Sequence, residues 1–102
     1  MRTIEAIRKQ LSRGEFEFSR HAFKRAVERN ISESEIRQAG EFAHIIENYP
    51  DDKYAPSCLL LGFTAVHRPL HIQVSYVESE LVKIITIYEP DLKEWYDYAR
   101  RR

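Results

Sequence analysis

Residues 57–88 read SCLLLGFTAVHRPLHIQVSYVESELVKIITIY, and this stretch decides the fold. It contains three runs that are rich in β-branched and aromatic side chains, which favour strands: residues 57–66, 70–77 and 81–88. Arg68 and Pro69 form a predicted turn between the first two runs, and a short polar segment separates the last two. Because connections this short suit hairpins better than crossover helices, the sequence predicts an antiparallel sheet.

Helical patterns occupy the first half of the chain. Apolar residues recur at helical spacing over residues 4–11, and Gly14 follows where a left-handed helix cap would lie. Residues 15–18 alternate polar and apolar side chains, which indicates a short strand or an extended link. Ser19 then provides an N-cap for a second helix that runs to about Asn30.

A third helix is predicted to begin at a capping box formed by Ser32 and Glu35. Ile36, Ala39 and Ala43 would form its inner stripe. Residues 45–49 are typical of an extended segment, and residues 50–53 are typical of a turn or an exposed loop.

The C-terminal segment repeats the capping pattern in residues 91–94, which read DLKE. It therefore predicts a short last helix that packs on the domain through Trp95 and Tyr96. The predicted fold class is α+β: N-terminal helices, then an antiparallel sheet of three to five strands, then a short C-terminal helix. Since 102 residues is a common size for one folding unit, we expect a single domain over residues 1–102.

The composition indicates the class of protein and the compartment in which we expect it. The chain has 43% hydrophobic and 31% charged residues, which is typical of a folded globular protein. Cys58 is the one cysteine, so no intramolecular disulfide can form, and its apolar neighbours predict a buried, inert thiol. No apolar run approaches the roughly 18 residues of a membrane span. We expect a cytoplasmic protein with no membrane partner.

The charges are unevenly distributed although they cancel overall. Residues 1–30 carry eight Lys and Arg against four Asp and Glu, whereas residues 31–60 carry two against six. Residues 61–102 are balanced at six against six and end in the arginines 100–102, which we expect to act as a solubilising tail. A neutral chain argues against indiscriminate nucleic-acid binding.

The predicted second helix carries the segment most suggestive of chemistry. His21, Arg25 and Arg29 share one polar face with Glu28 at 3.6 residues per turn, and a phosphate would be well placed at the helix N-terminus. The alternative is an ordinary solvated face on which Glu28 pairs with Lys24 or Arg25. Four apolar residues on the other side are predicted to be buried: Ala22, Phe23, Ala26 and Val27.

His67, Arg68 and His71 flank the predicted turn, so we expect them to be displayed at one edge of the sheet. Two histidines four residues apart invite a metal interpretation, but zinc usually takes three or four ligands and no matching spacing is present. We therefore expect no metal and no cofactor. Tyr88 ends the last strand, where a side chain is held rigidly; the alternative is that it only packs on the sheet.

Several short motifs together resemble a family of small bacterial proteins catalogued as a domain of unknown function. The resemblance spans about residues 15–91 and is carried by four segments: Ser19-Arg20-His21-Ala22 with Arg25, Glu28-Arg29 and Ile31-Ser32; Leu60-Leu61-Gly62; Arg68-Pro69-Leu70-His71; and Thr86-Ile87-Tyr88-Glu89-Pro90. Members are often encoded beside zinc-finger antitoxins of the YgiT or MqsA type, and the helices-then-sheet layout is similar to the RelE-like toxin superfamily.

The resemblance implies a toxin of a type II toxin–antitoxin system that cleaves RNA without a metal, with RNA and a cognate antitoxin as partners. It implies acid–base roles for His21 and His71, phosphate binding by Arg25 and Arg29, and nucleotide orientation or proton donation by Tyr88. Ribosome-dependent RelE toxins are strongly basic, so we do not expect this neutral chain to dock on the ribosome. The alternative function is a non-catalytic protein- or nucleic-acid-binding module whose basic helix meets an acidic partner or a second copy in a homodimer.

Overall fold

The structure is a computed structural model that describes residues 1–53 and 55–102. Within those residues the chain is α+β, as the sequence predicts, and its elements follow one another in this order: α1 (Ile4–Ser12), β1 (Phe16–Phe18), α2 (Arg20–Glu28), α3 (Glu33–Glu41), β2 (His44–Tyr49), β3 (Ser57–Phe63), β4 (Pro69–Ser75), β5 (Val82–Tyr88), β6 (Trp95–Tyr96) and β7 (Arg100–Arg101). None of the described helices is long and apolar enough to cross a membrane.

The helix boundaries follow local signals in the sequence. The Ser19 hydroxyl accepts a hydrogen bond from the Ala22 N–H at 3.0 Å, so Ser19 is the predicted N-cap of α2. Ser32 and Glu35 form the predicted capping box of α3, with both reciprocal hydrogen bonds present. Gly14 follows α1 at a φ of 76°, a left-handed conformation that glycine adopts at little cost. These caps satisfy backbone groups that a helix end leaves unpaired.

The main sheet has the strand order β1-β5-β4-β3-β2. Strands β2 to β5 pair antiparallel, as predicted, but β1 pairs parallel with β5, so a purely antiparallel sheet was wrong. No hairpin sets the direction of β1, because two helices and three strands separate it from β5 along the chain. The Val82 N–H donates to the Glu15 carbonyl at 3.0 Å and the Ser19 N–H donates to the Ile84 carbonyl at 2.9 Å, which extends the parallel pairing beyond three residues.

The core lies between the helices and one face of the sheet. Side chains alternate along a strand, so Leu70, Ile72 and Val74 of β4 point together toward the helices. Ile36, Ala39 and Ala43 are buried there, which confirms the predicted inner stripe. The remaining fully buried side chains of this layer are Ile7, Leu11, Ala22, Cys58, Leu60, Val82, Ile84 and Ile87.

Gly62 allows α3 to cross β3 closely. A Cβ atom at Gly62 would lie 2.0 Å from the Ala39 carbonyl oxygen, far inside van der Waals contact. In the sequence, this glycine is only a break in a strand pattern. The structure shows that glycine is required there because helix α3 lies directly against it.

The other face of the sheet, which we call the outer face, carries the intervening side chains. Cross-strand pairing places His71 beside Tyr88 and Gln73 beside Thr86 on this face, and Leu59 lies beside Gln73. The C-terminal segment folds over one end of it, because Trp95 and Tyr98 both contact His71.

The predicted C-terminal helix was wrong. The Asp91 carboxylate accepts a hydrogen bond from the Lys93 N–H at 2.8 Å, as a helix cap would, but the chain then reverses. Asp97 and Tyr98 have φ values of 49° and 61°, and β6 pairs antiparallel with β7. Burial of Trp95 on the outer face, where it is 2% exposed, explains why local helical propensity does not decide this segment.

Two further predictions also need correction. The turn after β3 lies at residues 64–68, where the Thr64 N–H donates to the Arg68 carbonyl at 2.9 Å, so Pro69 begins β4 and does not lie in the turn. Only Ala22 and Ala26 of the apolar side of α2 are buried, whereas Phe23 is 59% and Val27 is 65% exposed. A nine-residue helix that uses two alanines as its contact surface lies close to the sheet but covers little of it.

Candidate active site on the outer sheet face

His71 lies in the middle of the outer face and is completely buried, so its predicted display at a sheet edge was wrong. Its Nε2 atom lies 2.5 Å from the Tyr98 carbonyl oxygen, and its Nδ1 atom lies 3.1 Å from the Tyr88 hydroxyl oxygen. A carbonyl oxygen can only accept, so Nε2 carries the proton of the neutral ring. Nδ1 is then the acceptor, and the Tyr88 hydroxyl donates to it.

The surroundings of His71 favour this neutral form. Burial lowers the pKa of the imidazole and outweighs the Tyr98 carbonyl and the Glu47 carboxylate, which both raise it, while the Arg101 charge lowers it further. The Trp95 ring packs edge-on against the imidazole with 4.4 Å between ring centroids, and the Tyr88 ring does so at 5.2 Å. His71 is therefore a fixed, neutral proton acceptor at neutral pH.

Tyr88 connects the buried histidine to an open cavity. Its side chain is partly buried, and burial raises the pKa of its phenol even though the Arg101 charge opposes the shift. Tyr88 lines a cavity of about 350 Å³, whose other walls are Tyr49, Asp52, Leu59, Gln73, Thr86 and Arg101. Tyr88 can thus accept a proton from the cavity while it passes its own phenolic proton to the buried His71.

Arg101, Glu47 and Tyr49 form an ion-pair network at the wall of this cavity. The Arg101 Nε and Nη2 atoms lie 2.8 Å and 3.1 Å from the two Glu47 carboxylate oxygens. The Tyr49 hydroxyl donates to the same carboxylate, and burial together with that hydrogen bond raises the pKa of Tyr49 to about 12. Burial alone would raise the pKa of Glu47, but the hydrogen bonds from Arg101 and Tyr49 lower it overall.

Guanidinium and aromatic groups alternate along the C-terminal hairpin. The Arg101 guanidinium lies over the Trp95 ring at 4.6 Å from its centroid, and Arg102 lies over the Tyr96 ring at 4.1 Å. Arg100 also lies over Tyr96, at 5.6 Å. We expected arginines 100–102 to form a solubilising tail. Instead, Arg100 and Arg101 form strand β7 of the hairpin, and the three arginines border the outer face.

The helix residues of the predicted site lie elsewhere. Helix α2 packs on the face of the sheet opposite to His71 and Tyr88, and His21 is exposed there. The Arg25 guanidinium pairs with the Glu28 carboxylate at 3.6 Å. Arg29 caps the end of α2 and lines a second cavity of about 550 Å³, whose wall also includes Tyr98. Of the five predicted site residues, the structure brings His71 and Tyr88 into contact and leaves His21 and Arg25 on the other side of the sheet.

Arg68 fixes the arrangement at this end of the sheet. Its Nε atom lies 2.7 Å from Glu89 and its Nη1 atom lies 3.0 Å from Glu35, while two N–H groups donate to the Arg29 and Asn30 carbonyls. These contacts join the end of α2, the start of α3 and the end of β5. Because four of its five guanidinium N–H donors and its charge are used in these contacts, Arg68 acts as a structural tie between these elements.

Several residues of the site were not found in the sequence. Trp95, Tyr98 and Arg101 were missed because the segment was interpreted as a helix, which would have pointed them in other directions. Glu47 and Tyr49 carried a usable signal, since residues two apart on a strand share a face. Among residues 1–53 and 55–102 there is no group of three or more His, Cys, Asp and Glu side chains arranged to hold a metal ion.

Comparison with known families matches residues 18–89 to a domain of unknown function, DUF4258. The chain belongs to the DUF4258 family. The match runs from the end of β1 to just beyond β5, so it includes both His71 and Tyr88 but neither Tyr98 nor Arg101 of the C-terminal segment. No curated protein matches the chain, and no solved structure does so either.

Proposed function

We propose that this DUF4258 protein is a metal-independent endoribonuclease and the toxin of a type II toxin–antitoxin pair, and that it cleaves RNA on the outer sheet face. The observation that carries the proposal is the hydrogen bond from the Tyr88 hydroxyl to the buried, neutral His71. A phenol is a weak base by itself, but it becomes effective when its own proton has an acceptor. Tyr88 has that acceptor and also lines the cavity.

The reaction begins with the 2′-hydroxyl of the RNA. Tyr88 removes its proton while the phenolic proton passes to Nδ1 of His71, and the 2′-oxygen attacks the neighbouring phosphorus. The bond from phosphorus to the 5′-oxygen breaks, and the leaving oxygen takes a proton from solvent in the open cavity. The products are a 2′,3′-cyclic phosphate and a 5′-hydroxyl, and His71 returns its proton through Tyr88. While His71 is protonated, both of its ring N–H groups donate hydrogen bonds. One goes to the Tyr88 oxygen and the other to the Tyr98 carbonyl.

The charges around the cavity suit a phosphodiester. Arg101 lies at the cavity wall, and its five N–H donors exceed the two used by Glu47. Arg100 and Arg102 add positive charge nearby, and exposed aromatic rings such as Tyr96 are surfaces on which unpaired bases stack. Glu47 offsets part of this charge, so it would lower RNA affinity and restrict binding to well-positioned phosphates.

The toxin assignment rests on the family resemblance. The sequence motifs resemble a family that is often encoded beside zinc-finger antitoxins, and that resemblance implies a RelE-like arrangement. In this proposal Arg29, which borders the neighbouring cavity beside Tyr98, contacts the RNA strand outside the cleavage position. His21 and Arg25 would act only if RNA also reaches the helix side of the sheet.

The test is cleavage of single-stranded RNA by the purified chain in excess chelator. Tyr88→Phe keeps the ring and removes the hydroxyl, so we expect it to lower the rate by about a hundredfold or more. Tyr96→Phe is the matched control, because it removes a hydroxyl from an exposed tyrosine and keeps the ring over which Arg100 and Arg102 lie. Growth arrest on induced expression, relieved by the same substitution, would give a parallel result in cells.

Two results would reject the proposal. If His21→Ala or Arg25→Ala abolishes cleavage while Tyr88→Phe does not, the reaction takes place on the helix side of the sheet. If the chain binds RNA or protein without cleaving RNA under any of these conditions, it is a non-catalytic binding module. Circular dichroism of each variant is needed beside the assay, so that loss of activity is not confused with loss of the fold.

A further inference from the structure

Helix α2 presents an apolar strip to solvent. Phe23 and Val27 are four residues apart and therefore lie on one flank, and they are 59% and 65% exposed. Phe18 of the edge strand β1 extends the strip, since its ring contacts Phe23 edge-on with 6.1 Å between centroids. Removing such apolar side chains from water is favourable, so a partner that covers them would gain binding free energy.

The border of this strip is positively charged. Arg20 and Lys24 lie on the outermost side of α2 next to Phe23 and Val27, and the one acidic residue of α2, Glu28, already contacts Lys24 at 3.9 Å and Arg25 at 3.6 Å. We call Phe18, Arg20, Phe23, Lys24 and Val27 the α2 surface.

The charges on the α2 surface indicate which kind of molecule would bind there. Packing α2 against α2 of a second copy would bring these cations together, which disfavours a symmetric dimer through this surface. RNA would gain from the cations but little from the aliphatic Val27, whereas a protein helix with apolar residues at i, i+3, i+4 and i+7 can cover Phe23 and Val27 together. Acidic residues flanking that apolar stripe would meet Arg20 and Lys24.

We propose that the α2 surface binds an acidic amphipathic helix of a protein partner. The surface lies on the opposite side of the sheet from the Tyr88 and His71 pair. A bound helix would thus leave the outer cavity open, and the proposal holds whether or not the chain cleaves RNA.

The experiment measures binding of two labelled synthetic peptides to the intact chain by fluorescence anisotropy. Both have about 18 residues and the same leucine stripe at i, i+3, i+4 and i+7; one carries glutamate and the other lysine at the flanking positions. We expect the glutamate peptide to bind and the lysine peptide to bind at least about tenfold more weakly.

Substitutions then locate the binding surface. Phe23→Ser combined with Val27→Ser, and separately Lys24→Glu, should each weaken the glutamate peptide by about tenfold or more. The matched control is Phe42→Ser, because Phe42 is 82% exposed but lies at the end of α3. All four residues are exposed, so the variants should fold, which thermal unfolding of each variant checks.

Four outcomes would overturn the proposal. The lysine peptide could bind as tightly as the glutamate peptide, or Phe42→Ser could weaken binding as much as the α2 substitutions. Sedimentation could show a dimer that Phe23→Ser dissociates, which would make a second copy the occupant. Finally, a polyuridine strand could compete with the peptide and lose its own binding on Phe23→Ser, which would make the surface a nucleic-acid site.

Discussion

Mild acid should destabilise this protein through a single buried histidine. Because burial lowers the pKa of His71 below its usual value of about 6.5, the unfolded chain binds a proton between that value and the folded-state pKa, whereas the folded chain does not. The free energy of unfolding is therefore unaffected by protonation of His71 above about pH 6.5, where the imidazole is neutral in both states. It decreases progressively as the pH falls below that value. Protonation would also reverse the hydrogen bond from Tyr88, since Nδ1 would then become a donor.

The size of the effect follows from the linkage of proton binding to folding. One proton taken up only by the unfolded state changes the free energy of unfolding by about 1.4 kcal/mol per pH unit. Over the 1.5 pH units between pH 6.5 and pH 5, the loss from this one proton is at most about 2 kcal/mol. Glu35 and Glu47 have lowered pKa values, so their contributions are lost only in more acidic solution.

The assay is urea unfolding at a series of pH values, comparing the unsubstituted chain with His71→Gln. The glutamine variant should be less stable at pH 7.5, but its stability should change little between pH 6.5 and pH 5. His21→Gln is the control, since His21 is exposed and its substitution should leave the slope intact. If the unsubstituted chain and His71→Gln lose stability in parallel over this range, the assignment of a buried, neutral His71 is refuted.

Four further predictions concern single side chains. Gly62→Ala should lower the free energy of unfolding by about 3 kcal/mol, because its Cβ would collide with the Ala39 carbonyl; chemical denaturation measures this. Ser32→Ala should cost about 1 kcal/mol through loss of the α3 cap, again by denaturation. Arg68→Met should cost about 2 kcal/mol, whereas the exposed Arg100→Met should cost less than about 0.5 kcal/mol in the same measurement. Glu47→Gln should tighten RNA binding, whereas Arg101→Gln should weaken binding and lower its salt dependence; titrations at several salt concentrations measure both effects.

The sequence predicts those parts of the fold that local chemistry determines. Ser19 and Ser32 satisfy backbone donors within three residues, so the helix starts were confirmed. The three long runs became β3, β4 and β5, because their β-branched and aromatic side chains favour strands. Cys58 is buried, as its leucine neighbours indicate.

The parts that failed depend on contacts distant in sequence. The direction of β1 is set by pairing with a strand more than sixty residues away, and three residues of alternation carry no information about it. Trp95 is drawn onto His71, which overrides the capping signal at Asp91. Phe23 and Val27 fit the periodicity of a buried flank, but the edge of the sheet leaves nothing in this chain's described residues to cover them fully.

Part of the candidate site could be predicted from the sequence. His71 and Tyr88 were named as candidates from the sequence, and the register of β4 and β5 places them side by side. Their partner groups could not be predicted, because a backbone carbonyl such as that of Tyr98 has no sequence signature. The helix residues were grouped by periodicity, which shows that side chains share a face but not which side of the sheet that face occupies.

Among the described residues, the hairpin formed by β6 and β7 follows all three helices and all five strands of the main sheet along the chain. During synthesis, a ribosome would release the complete sheet before Trp95 and Tyr98 become available to enclose His71. The nascent domain should then have its core while the imidazole is still hydrated, free to rotate and unable to hold one tautomer. Closure of this hairpin over His71 is therefore a folding step separate from formation of the core, and the proton transfer that we propose for Tyr88 depends on it.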